Sequence, residues 1–223
     1  MARLYNYIKE SGINDPLPPG LPKEVYEEWN FLKEKLPTIK RQCSAWIKEL
    51  RGYPLFRGYN VGIRDKNVML KKVRTDRKPV DMKIEDQKIL DEVFRKKFGW
   101  NPRSEGMFCT PDWAIAGGYG KPGLVLVPGS YKYVWSENVQ DLYGRVKRET
   151  DVHDGKLTTE IAEKLVNLYT DKDLTRAARM SGYYEITVKC NEYWVISIWL
   201  LQMVGYGQKN NPESAARDFL REL

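Results

Sequence analysis

Apolar residues recur at helical spacing over residues 25–50. Val25, Trp29, Leu32 and Leu36 follow one another at intervals of four, three and four, with Glu27, Glu28, Lys33, Glu34 and Lys35 on the other faces. That spacing predicts an amphipathic helix. Pro37 is expected to end or kink it. Ile39 to Leu50 then reads as a second amphipathic helix, with Cys43, Trp46, Ile47 and Leu50 on one side. Ahead of both, residues 14–22 contain four prolines and read as an extended connector.

Beyond residue 50 the pattern shortens and alternates. Pro54 to Val61 reads as a strand, and Asn67 to Val73 as a second strand or part of a basic loop. Ile84 to Phe98 returns to helical spacing, with Gly99 as its stop. Gly106 to Thr110 reads as a strand, and Asp112 to Tyr119 as a short helix with an acidic residue near its start. Gly123–Pro128 and Tyr131–Trp135 are two further strands. Leu157–Leu168 is a helix capped by Thr158 or Thr159, and Asp171–Met180 is another. Glu185–Cys190 and Tyr193–Leu200 are strands joined at Asn191-Glu192, the clearest hairpin signal in the chain. Pro212 to Leu223 closes with a charged helix. No internal repeat or low-complexity tract interrupts this order. The pattern is α+β: N-terminal helices, then a mixed, mainly antiparallel β core. Residues 1–50 are expected to form a helical segment packed on an α+β domain over residues 51–223.

Composition narrows the function classes. A chain of 223 residues that is 42% hydrophobic and 30% charged can bury a real core. No apolar run approaches the ~20 residues that cross a bilayer, and the first ten residues lack an apolar signal core. A cytoplasmic protein without membrane contact is the expectation. Cys43, Cys109 and Cys190 are too far apart for a disulfide framework or a zinc pattern. The lone histidine, His153, argues against multi-imidazole metal sites and against Ser/His/Asp catalysis, so no metal is expected. The net charge is +7. Residues 64–83 hold eight Lys or Arg against Asp65, Asp76 and Asp81. Such a stretch suits nucleic acid, a phosphate-bearing cofactor or an acidic partner, and equally a solvated basic hairpin.

Three segments carry candidate chemistry. Arg57 lies in the apolar strand Leu55-Phe56-Arg57-Gly58-Tyr59. A guanidinium there needs an anion: a ligand phosphate, or an internal carboxylate. Gly58 permits close approach of a ligand or of a second backbone. Phe108-Cys109-Thr110 leads into a stretch of small residues, where the Thr110 hydroxyl can orient a carboxylate or bond a ribose. Cys109 has no histidine nearby and reads as a small buried residue rather than a nucleophile. Glu185 heads the strand Ile186-Thr187-Val188, with Glu185, Thr187 and Lys189 on one face. A carboxylate there can hold a ribose hydroxyl and stabilise positive charge developing on a sugar, or it can be an exposed strand residue.

In that order, the arginine strand, the Phe108-Cys109-Thr110 strand and the late glutamate resemble the ADP-ribosyltransferase superfamily. The stretches Arg74-x-Asp76-Arg77-Lys78-Pro79-x-Asp81, Phe98 to Tyr119, Tyr133-x-Trp135-Ser136 and Tyr169 to Leu174 are similar to an uncharacterised group of tailed-bacteriophage proteins. The similarity covers roughly residues 50–200. The resemblance implies a split β core that binds NAD. Arg57 would contact its phosphates or nicotinamide ribose, Thr110 would support the pocket and the acid, and Glu185 would assist departure of nicotinamide. Gly58, Phe108, Tyr119 and Tyr133 join the expected NAD-binding set, Tyr119, Tyr131 or Tyr133 stacking on nicotinamide. Arg74, Arg77 and Lys78 would face the acceptor.

The central strand reads Phe108-Cys109-Thr110-Pro111 where the family has Ser-Thr-Ser. Tyr183 stands where arginine-modifying members carry Glu or Gln, and Glu192 is a second candidate acid. The implied function is a phage-encoded NAD-dependent mono-ADP-ribosyltransferase acting on a nucleic-acid or host-protein acceptor in the host cytoplasm. The alternative is an inactive basic phage protein that binds nucleic acid or a protein partner, or sits in the virion.

Overall fold

The computed structural model describes residues 17, 19–60, 66–74, 82–152, 155–182, 184–207 and 211–223. Arg77, Lys78, His153 and Tyr183, part of the 14–22 connector and much of the basic 64–83 segment lie outside them. The chain is α+β, and it divides into two compact units that are interleaved in sequence. Unit 1 comprises residues 1–71, 112–129 and 192–223, and unit 2 comprises residues 72–111 and 130–191.

Unit 1 begins with α1 (Lys23–Gln42) and α2 (Ser44–Leu50). The apolar stripe of α1 is buried as its spacing requires: Val25, Trp29, Leu32, Leu36 and Ile39. The helix runs through Pro37 to Gln42, so the expected stop at the proline does not occur. Pro37 is exposed, which leaves the carbonyl it cannot bond open to water, and the buried residues on either side hold the helix together. The break falls at Cys43 instead.

Strands β1 (Phe56–Tyr59), β2 (Val68–Lys72), β4 (Lys121–Leu126) and β7 (Glu192–Ser197) form a four-stranded sheet in the order β1-β4-β7-β2. Pairing is antiparallel, with Arg57 opposite Gly123 and Gly123 opposite Ser197. Trp46 of α2 donates its indole N–H to the Val125 carbonyl at 3.0 Å, tying the helix to the sheet. Three more helices complete the unit: α5 (Trp113–Gly117), α9 (Ile198–Met203) and α10 (Pro212–Glu222). The Asp112 carboxylate caps α5, accepting from the Ala114 and Ile115 amides. Tyr206 packs edge-on against Phe219 of α10, with ring centroids 5.3 Å apart.

Unit 2 holds a three-stranded antiparallel sheet in the order β3-β6-β5, built from β3 (Met107–Cys109), β5 (Lys132–Val134) and β6 (Ile186–Lys189). Its helices are α3 (Ile84–Phe98), α4 (Pro102–Glu105), α6 (Leu142–Val152), α7 (Thr159–Asn167) and α8 (Leu174–Arg179). Gly99 ends α3 in the left-handed region, and Thr158 caps α7. Leu90, Val93 and Phe94 of α3 share a core with Leu142 and Val146 of α6 and with Ile161, Leu165 and Val166 of α7. Phe94 meets Tyr169 edge-on at 5.1 Å. Each fully buried Leu or Phe in this core contributes roughly 1.5–3 kcal/mol.

Two expectations fail at one place. β6 and β7 do not form a hairpin: they belong to different sheets, and the chain passes from unit 2 to unit 1 between Asn191 and Glu192. A two-residue hairpin turn needs positive φ, and neither Asn191 nor Glu192 has it. The Asn191 carbonyl instead accepts from the Val73 amide. The strand expected to reach Leu200 stops at Ser197, where α9 begins.

Candidate active site

The polar centre of unit 2 is assembled around α4. Pro102 supplies the fixed φ that starts this short helix. Gly106, just after it, lets the helix lie against β6: a Cβ there would come within 2.3 Å of the Thr187 methyl and 2.7 Å of the Pro102 carbonyl. Arg103, Ser104 and Glu105 are thereby presented to α3 and β6.

Arg103 reaches Glu185, with Nη1 2.9 Å from Oε1. The two side chains retain only 14% and 12% of their exposure, so most water is excluded from the pair. The guanidinium also lies 4.8 Å from the centroid of the Phe108 ring. The Glu185 amide donates to the Gln140 carbonyl at 3.1 Å, fixing the entry to β6. Ser104 donates its hydroxyl to Asp91 Oδ2 and accepts from Gln87 Nε2 at 3.2 Å. Asp91 Oδ1 is buried without a hydrogen-bond partner among the described residues. Burial pushes the Asp91 carboxyl above its ordinary value, against the opposing pull of the Ser104 hydroxyl and the Arg103 charge. Lys189 pairs with Glu105 further along the same face.

Tyr169 stands behind the pair. Its hydroxyl is buried with no hydrogen-bond partner among the described residues. Burial first, and then the Glu185 charge, hold it well above the usual tyrosine range.

The sequence-predicted residues divide between the two units. In unit 2, Phe108 lies opposite Thr187 and Cys109 opposite Ile186. Thr110 is buried at the end of β3. Thr110 thus follows β3 and Glu185 precedes β6, the strand paired with it. Tyr133 is opposite Val188, on the other face from Phe108 and Thr187, and its buried hydroxyl accepts from the Leu174 amide at 3.2 Å. Tyr133 thus takes the core-packing role. Arg74 is exposed just beyond β2.

In unit 1, Arg57 is half-buried on β1, 6.0 Å from the centroid of the Tyr193 ring. The space above Gly58 is occupied by this chain's own backbone: a Cβ would meet the Ala116 carbonyl at 2.3 Å and the Tyr119 carbonyl carbon at 2.7 Å. Tyr119 is 64% exposed, and Glu192 begins β7.

Sequence reasoning assigned no role to Arg103, Ser104, Asp91 or Tyr169. One signal existed. Asp91 sits between Leu90 and Val93 on the apolar face of α3, where a carboxylate requires a partner.

No family model, no curated protein and no solved structure matches this chain. Among the described residues there is no group of three potential metal ligands and no helix long and apolar enough to cross a membrane.

Proposed function

We propose that the chain is an NAD-dependent mono-ADP-ribosyltransferase, with Glu185 as its catalytic carboxylate. The observation that carries this reading is the pairing of β3 with β6. It lays the strand that carries Phe108 against β6, at whose head stands the shielded Glu185 carboxylate, the arrangement expected of a residue that must face a sugar cation. The described strands fall into two antiparallel sheets, which supports the split core that the resemblance implies.

In the proposed reaction the bond between nicotinamide nitrogen and ribose C1′ breaks. The bonding pair leaves with nicotinamide, which departs neutral. The acceptor nucleophile forms the new bond to C1′ and releases its proton to solvent. Glu185 binds a ribose hydroxyl and stabilises the oxocarbenium-like transition state. Thr110 supports the acid.

The second reading is an inactive binding protein, and the Arg103–Glu185 pair is what favours it: a carboxylate already matched by an internal guanidinium is complete as structure. Nicotinamide release from NAD separates the two, measured for wild type and Glu185→Gln. The transfer reading expects release by wild type and a loss of at least about a hundred-fold in Glu185→Gln. Equal release by wild type and Glu185→Gln, or none from either together with no NAD-induced rise in melting temperature, overturns it.

A further inference from the structure

We propose that one surface of unit 1, centred on Lys121 and Trp199, binds single-stranded nucleic acid. Unit 1 gathers cations and aromatic rings on the same side of its sheet. The register sets Tyr59 opposite Lys121, so the two side chains share a face, with the Tyr59 ring itself buried. Lys121 Nζ lies 5.8 Å from the centroid of the Trp199 ring, and Lys71 Nζ lies 5.1 Å from that of Tyr59. The patch extends through Asn67, whose side chain accepts from Lys121, to Lys66, which lies 5.6 Å from the Phe31 ring centroid.

Trp199 decides the kind of partner. It follows Ser197 and Ile198 into α9, whose Ile198, Leu200 and Leu201 are all buried, yet its own side is 56% exposed. Tyr119 is 64% exposed, but its Cβ lies over Gly58 on the other face of β1, so it stands outside this surface. Its turn is pressed onto β1 through Gly120, where a Cβ would lie 2.6 Å from the Tyr59 carbonyl oxygen. The exposed Trp199 ring beside Lys121 offers what an unpaired nucleotide needs: a face for the base and a cation for the phosphate. In a duplex the base faces are already stacked, so this ring would find no partner there. An acidic peptide would satisfy the lysines and leave the indole unused. The chain's net charge of +7 favours the same polyanion.

This binding stands independently of the transfer reading. The test is fluorescence anisotropy with a labelled twelve-nucleotide single strand, its duplex and NAD as competitor. The proteins are wild type, Trp199→Ala, Lys121→Ala and Glu185→Gln, each checked by circular dichroism to be folded at the assay temperature. The single strand should bind more tightly than the duplex. Trp199→Ala should weaken it roughly ten-fold or more. Lys121→Ala should reduce the slope of log K against log salt by about 0.7. Glu185→Gln should bind like wild type. Equal affinity for single strand and duplex overturns the proposal, as does an unchanged affinity in Trp199→Ala or complete displacement by NAD. Absent nicotinamide release with intact Trp199-dependent binding overturns the transfer reading alone.

Discussion

Removing Arg103 is the sharpest perturbation of the unit 2 site. A surface ion pair is worth about 0–1 kcal/mol, whereas taking one partner from a buried pair costs about 3–5 kcal/mol. With 14% and 12% of the side chains exposed, the Arg103–Glu185 pair lies towards the buried end. Arg103→Ala also gives up the contact with the Phe108 ring, worth roughly 0.5–2 kcal/mol. A loss of about 3–4 kcal/mol follows. At roughly 2–4 °C per kcal/mol for a chain of this length, the melting temperature should fall by about 6–16 °C. The assay is urea unfolding followed by circular dichroism, with Arg103→Ala, Glu185→Gln and the double variant closing a cycle. The coupling energy should be about 2 kcal/mol, because the second substitution removes a charge that the first has already stranded. A coupling below ~0.5 kcal/mol would refute the reasoning: the two groups would then be solvated separately, and the 2.9 Å contact would not hold the site together.

Three further outcomes follow from the described geometry. Asp91 has its pKa raised by burial, so its contribution to stability is fully present below the ordinary carboxylate value and is lost as pH rises through the folded value; Asp91→Asn should therefore gain melting temperature relative to wild type at pH 8 compared with pH 4, and a pH-independent difference would contradict this. Gly58→Ala places a Cβ 2.3 Å from the Ala116 carbonyl and should cost about 1–3 kcal/mol, whereas Gly117→Ala in α5 meets nothing within 4 Å and should gain about 0.5–1 kcal/mol; denaturation midpoints report both. Cys43, Cys109 and Cys190 are buried, and burial pushes the Cys43 thiol up to about 12, so a thiol reagent at pH 8 should label the native protein only as fast as it unfolds.

The elements were legible where a local rule decided them. Ile84–Phe98 and its Gly99 stop follow from helical spacing and left-handed glycine alone. So does the Asp112-capped turn of helix at Trp113. α6 was not legible, because Leu142 and Val146 are its only large buried apolar residues in an otherwise polar stretch. The Asp141 carboxylate, accepting from the Tyr143 and Gly144 amides, was the missed signal. The Asn191-Glu192 junction shows the other limit. Two adjacent strand patterns look like a hairpin in sequence, but pairing is decided by turn dihedrals and by which strands compete for each edge. The site divided in the same way. Phe108 announces itself as a strand residue and Glu185 as the residue just before a strand, while Arg103 is 82 positions from the carboxylate it holds, a separation no periodicity spans.

The sign of one stability change separates the two roles open to Glu185. A carboxylate kept for chemistry is held in surroundings chosen for the transition state, and neutralising it commonly stabilises the resting fold. A carboxylate kept for structure costs stability when it is neutralised. Glu185→Gln retains a carbonyl oxygen that can still accept from Arg103 Nη1, and the guanidinium keeps the Phe108 ring beneath it. The structural role therefore predicts a loss of about 1–3 kcal/mol for Glu185→Gln. The catalytic role predicts no loss or a gain, together with abolished nicotinamide release. The same urea series gives the answer. A destabilised Glu185→Gln that still releases nicotinamide at the wild-type rate would remove Glu185 from the reaction and leave it as the anchor of α4.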